Sequence, residues 1–186
     1  MVGIPPLVPA SFEVPRLVET QSFDLVPLEW RHAFRDFEAY SSSVEHLQST
    51  FDLNTGSLRI GPEKWPAKVD LDTAFIDAAW SQFENFFLHS SFTFSAVDKT
   101  HTRQLGCGYI SWSNKVGYHV ECQTWVRADC LSAGFDDSFY NWFRNWVEQS
   151  WPFDADEIGW PGRTIPWTEW NQLPDLLRTN HMSDST

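Results

Sequence analysis

The chain has 186 residues and a net charge of −12, from 13 basic and 25 acidic side chains. That balance argues against nucleic acid and anionic membranes as partners, since both are bound through basic patches. At 42% hydrophobic, with 15 Phe, 11 Trp and 4 Tyr, it reads as a single globular domain over residues 1–186, long enough to bury roughly 70% of its unfolded surface.

Residues 1–20, "MVGIPPLVPASFEVPRLVET", are broken by prolines and Glu13 and read as an extended arm without an apolar leader segment. No apolar run reaches membrane-spanning length, and the expected location is the cytoplasm. Residues 22–28 form a short strand, with Pro27 favouring an edge position. Trp30, Phe34, Phe37, Val44 and Leu47 recur at helical spacing, and "SSS" at 41–43 splits the run into two helices. Ser42-Ser43-Val44-Glu45 fits a capping box at the second start. A polar loop covers 54–68.

Asp72 is the expected cap of the next helix, whose Phe75, Ile76, Ala79, Trp80, Phe83, Phe86 and Phe87 make a wide, core-facing apolar stripe. Strands follow at 92–97, 105–112 and 118–126, the last two as a hairpin around "SNKVG". On the third, Tyr118, Val120, Cys122, Thr124 and Val126 share one face, and His119, Glu121, Gln123 and Trp125 share the other. A helix over 139–151 stops at Pro152. Four tryptophans among three prolines occupy residues 151–170, and 171–186 is a polar tail. Cys107, Cys122 and Cys130 are too few for a disulfide framework and lack a Cys-x-x-Cys zinc pair. Cys107 and Cys122 are expected near each other across the hairpin as packed thiols, not as nucleophiles.

This order resembles the GNAT acyltransferase superfamily over roughly residues 20–153. "PLEWRHAFRDFEAYSSS" and "VDLDTAFIDAAWSQFENFF" resemble its two helices after the first strand; "LGCGYIS" and "HVECQTWVRAD" resemble its third and fourth strands; "GFDDSFYNWFRNWV" resembles the helix whose N-terminus holds the pyrophosphate of acyl-CoA. The resemblance implies an α+β fold, a mostly antiparallel mixed sheet with helices on both faces, and acetyl-CoA as co-substrate. It implies a donor site at Thr124, Trp125, Val126, Gly134 and Phe135, with strand N–H groups polarising the thioester carbonyl.

The phosphate loop departs from the family's Arg/Gln-x-x-Gly-x-Gly/Ala. Leu131 replaces the first residue, Gly134 matches the first glycine, and Asp136 replaces the second, followed by Asp137. Between residues 120 and 160 there are two basic side chains, Arg127 and Arg144, against eight acidic ones. Two carboxylates where an anion would sit imply weak, rearranged or absent binding of CoA, although Asp is also an ordinary helix-start residue. Only 33 residues follow Phe153, leaving room for one more strand near 156–160.

Glu121 is the candidate general base, oriented by His119 and Gln123 on its face, with His119 itself as the alternative base. Tyr140, or Tyr109, is the candidate acid for the leaving thiolate. A small amine or a peptide N-terminus suits an acidic protein as acceptor. The alternative is a non-catalytic GNAT-like binding or dimerisation module that has lost CoA; a cystatin-like cone is disfavoured by two separate helices ahead of the hairpin. A homodimer is expected through 151–170, with Trp160 and Trp167 as anchors, unless that segment folds back over its own sheet.

Overall fold

The computed structural model describes residues 5–51, 65–66 and 69–176; most of the 54–68 loop and residues 177–186 of the tail lie outside them. Chain order runs β1 (Val18–Glu19), β2 (Asp24–Pro27), α1 (Ala33–Ser41), α2 (Val44–Thr50), α3 (Leu71–Phe83), β3 (Ser91–Val97), β4 (Gln104–Trp112), β5 (Val120–Val126), α4 (Phe135–Ser150), β6 (Ile158–Gly159) and α5 (Trp167–Trp170). The six strands lie in sequence order in one sheet. Every neighbouring pair is antiparallel except β5 and β6, which run parallel.

Register assigns the two faces. Phe92, Ile110 and Cys122 lie opposite one another on β3, β4 and β5, as do Ala96, Gly106 and Val126. This face is apolar and carries α4 through Phe139, Phe143 and Val147. Gly108 lies on the same face, where a Cβ would come within 2.5 Å of the Phe143 ring; without one, the ring rests directly on the strand. The other face presents Thr93, Tyr109, Ser111, Glu121, Gln123 and Trp125. It is largely polar yet buried, beneath α1, α2 and α3. Cys107 and Cys122 therefore point to opposite faces and belong to different clusters, against the expected proximity, because their pairing partners are Trp125 and Ile110.

Several local expectations are corrected. The arm contributes to the core: Leu7 and Val8 are buried, the Leu7 N–H donates to His89 O at 2.6 Å, and 18–19 add an outer strand. Pro27 pairs Phe94 on an inner strand, beyond the reach of the two-residue β1. The Ser42–Glu45 capping box does not form: the Ser43 hydroxyl donates to Ala39 O at 2.9 Å and accepts from Ala128 N at 3.0 Å, tying α1 to the segment after β5. Asp70, not Asp72, caps α3, accepting from Thr73 N at 2.8 Å.

The α3 stripe is turned around. Ala74 and Ala78 face inward, and Ala78 packs with Leu28 and Ala33. Ile76, Trp80 and Phe87 are 68%, 56% and 74% exposed. Small side chains let α3 approach α1 closely, so the bulky ones are left outside.

Residues 151–170 fold back over their own sheet. Trp151, Trp160 and Trp170 are buried; Trp160 packs against Phe143 and Tyr140, and Trp167 Nε1 donates to Thr50 O at 2.9 Å. The two indoles expected as dimer anchors are used within the chain.

Candidate active site

The parallel pair is short. Val120 faces Ile158 and Glu121 faces Gly159, after which β6 ends while β5 continues to Val126. A cleft opens beside the unpaired half of β5. The Arg127 N–H donates to Leu105 O at 2.8 Å on the β4 side. Backbone groups alternate along a strand, so the Trp125 N–H also points to β4, while those of Thr124, which lines the cleft, and Val126 lie on the opposite, open edge.

The cleft has a volume of about 250 Å³ and is lined by Ser49, Thr50, Gln123, Thr124, Asp136 and Arg163, among others. Gly134 precedes α4 at φ 68, a left-handed conformation that a glycine adopts without strain. Two residues on, at the helix N-terminus, Asp136 is held by a two-pronged ion pair. Arg163 Nη1 donates to Oδ2 at 2.7 Å and Nη2 to Oδ1 at 2.6 Å. Arg163 Nη2 also reaches Thr124 Oγ1 at 3.4 Å, and the guanidinium lies over the Tyr140 ring, 5.0 Å from its centroid. The carboxylate thus occupies the place an anionic ligand takes at a helix start, and Arg163 is its counter-ion.

A larger groove of about 900 Å³ runs over the polar face of the sheet, lined by Asp36, Asp77, Trp80, Tyr109, Ser111, Glu121 and Gln123, among others. Glu121 is 5% exposed and accepts a hydrogen bond from Gln123 Nε2. It is therefore a buried groove residue, not a solvated hairpin residue. Gln123 lines both cavities, so they adjoin at this residue. Burial raises Asp36 from an ordinary 3.8 to about 6, and burial also pushes the Tyr109 hydroxyl and the Cys107 and Cys122 thiols well up, leaving both thiols un-ionised and inert.

The remaining expected site residues divide. Thr124 lines the cleft. The Trp125 indole is buried and donates to Tyr109 Oη at 2.9 Å, a packing role. Phe135 packs into the α4 core against Phe23 and Phe139. Tyr140 lines neither cavity; its ring sits between Trp160 and Arg163. His119 precedes the first residue of β5, so strand alternation does not extend to it, and its ring meets Trp112 edge-on and Phe153 at a tilt. Arg163 escaped the reading of the loop because it lies 27 residues from Asp136; the glycine before it, in "WPGRTIPW", was the available signal of a tight turn.

Among the described residues no His/Cys/Asp/Glu group has the makings of a metal site, and no helix is long and apolar enough to cross a membrane. No protein-family model and no curated protein matches the chain. Solved structures do. A Bordetella pertussis protein assigned to the GnaT acetyltransferase family superposes with a TM-score of 0.52 at 11% identity, over 73% of this chain and 74% of that one. A ribosomal-protein-S5-alanine acetyltransferase from Vibrio fischeri does so at 0.51 and 13% identity, over 72% and 67%. The fold is GNAT-like: an open six-stranded sheet that splays between its parallel strands, with helices on both faces.

Proposed function

We propose that the protein transfers an acetyl group from acetyl-CoA, bound in the cleft, to a cationic amine bound in the groove. The observation that carries this reading is Gln123: the residue lines both cavities, so a thioester entering along Thr124 comes beside an amine held at Glu121. Glu121 takes a proton from the ammonium, which frees the lone pair to attack the carbonyl carbon. The Thr124 and Val126 N–H groups stabilise the developing oxyanion. The tetrahedral intermediate expels the CoA thiolate, which takes up the second proton that the nitrogen gives up as the amide forms. The acidic groove supports a cationic acceptor. Assembly through Trp160 and Trp167 forms no part of this reading.

A second reading, a GNAT-like module without CoA, is favoured by the closed Arg163–Asp136 pair and by a cleft below the roughly 300–1,000 Å³ of ordinary ligand sites. Calorimetric titration with acetyl-CoA separates the two: micromolar binding supports the enzyme, and no heat at millimolar ligand supports the module. Glu121→Gln should then lower thiol release roughly 10²–10⁴-fold with donor affinity unchanged. A Glu121→Gln variant with wild-type turnover removes Glu121 from the mechanism.

A further inference from the structure

The groove has a second acidic end. Asp36 on α1 and Asp77 on α3 line it beside Tyr40, Trp65 and Trp80. Asp36 accepts from Gln104 Nε2, yet among the described residues neither carboxylate is ion-paired with a lysine or arginine. Tyr40 is 4% exposed, and its hydroxyl, in the same wall, has no hydrogen-bond partner. Two partly buried carboxylates that repel each other, met among the described residues by the nearby charge of Arg35 but by no ion pair, are costly together with an unsatisfied hydroxyl and indole walls. A ligand ammonium satisfies all of them at once, through charge-assisted hydrogen bonds and cation–π contact.

This end is distant from Glu121. Asp36 bonds to Gln104 at the head of β4, whereas Glu121 pairs opposite Ser111, seven residues along the strand. At roughly 3.3 Å per residue that strand path is about 23 Å, an upper bound, because the Asp36 charge also acts on Cys107 and Tyr109 further along β4. A short monoamine touches one end only.

We infer that the groove binds an acceptor with two cationic groups, a linear polyamine, with one amine at Glu121 and the distal ammonium between Asp36, Asp77 and Tyr40. The inference rests on the acyl-transfer reading for which amine reacts, but the binding itself needs no donor. The test is calorimetric titration of the whole protein, without acetyl-CoA, using spermine, 1,3-diaminopropane and propylamine at one ionic strength. Spermine is expected to bind at least about tenfold more tightly than either short amine. Asp77→Asn should lose that advantage while propylamine affinity stays unchanged. Asp156→Asn, an exposed acid outside the groove, should keep it and so controls for net charge; thermal melts confirm folding, and Asp36→Asn serves if Asp77→Asn fails to fold. Spermine binding no tighter than propylamine, or equal loss in Asp77→Asn and Asp156→Asn, overturns the proposal. If spermine is discriminated as expected but no acetyl transfer occurs, the polyamine site stands and only the acyl-transfer reading falls.

Discussion

Replacing Asp136 by Asn tests whether the cleft is closed by its own carboxylate. In the wild type, Arg163 grips Asp136 through two short hydrogen bonds, 2.6 and 2.7 Å, with the two side chains 16% and 25% exposed. A hydrogen bond to a charged partner contributes on the order of 1.5–3 kcal/mol, less where water screens it. Any donor phosphate that takes Arg163 must displace the carboxylate and so forgoes about that much. It must also approach a negative charge at the helix start, where the dipole would otherwise favour it. Asparagine keeps the shape but removes the charge that holds the guanidinium. Asp136→Asn should therefore lose about 1–2 kcal/mol of stability while binding acetyl-CoA roughly 10–100-fold more tightly, since each 1.4 kcal/mol is a factor of ten. Urea unfolding gives the first number and calorimetric titration the second. Arg163→Gln, alone or combined with Asp136→Asn, should leave CoA binding weak, because the phosphate then has no partner. A folded Asp136→Asn protein with unchanged or weaker acetyl-CoA affinity refutes the argument, as does tight binding in the double variant.

The inward alanine edge of α3 predicts an inversion of the usual helix rule. Ala78→Leu, at a fully buried site against Leu28 and Ala33, should cost about 1–3 kcal/mol through overpacking, whereas Ile76→Ser, at a 68% exposed site, should change stability by less than about 0.5 kcal/mol in chemical denaturation; the reverse ranking would mean that α3 is turned the other way. Asp36, raised to about 6 by burial, gives a pH signature. The folded protein keeps a proton that the unfolded chain gives up near 4, so this contribution is fully present below about pH 4 and is lost as pH rises through 6, by up to about 3 kcal/mol. Asp36→Asn should flatten that slope, and an unchanged slope in the variant assigns it to another group.

The sequence by itself determined the order of elements from β2 to β6, the alternation along β5 and the acidic character of the protein. Val120, Cys122 and Val126 do share the α4 face, and Glu121, Gln123 and Trp125 the other, because alternation is a local property of the extended chain. The replacement of the phosphate loop's second glycine by Asp136 was equally plain. Periodicity tells which residues lie together on an element but not which side of it meets the rest of the protein. For α3 that was decided by how closely Ala78 could approach Ala33, against the larger apolar stripe. The chemistry of both cavities depends on contacts that no local pattern encodes: Arg163 with Asp136 across 27 residues, and Gln104 with Asp36 across 68. A charge counted as unbalanced along the chain is balanced in space, and only the tertiary fold brings its partner to it.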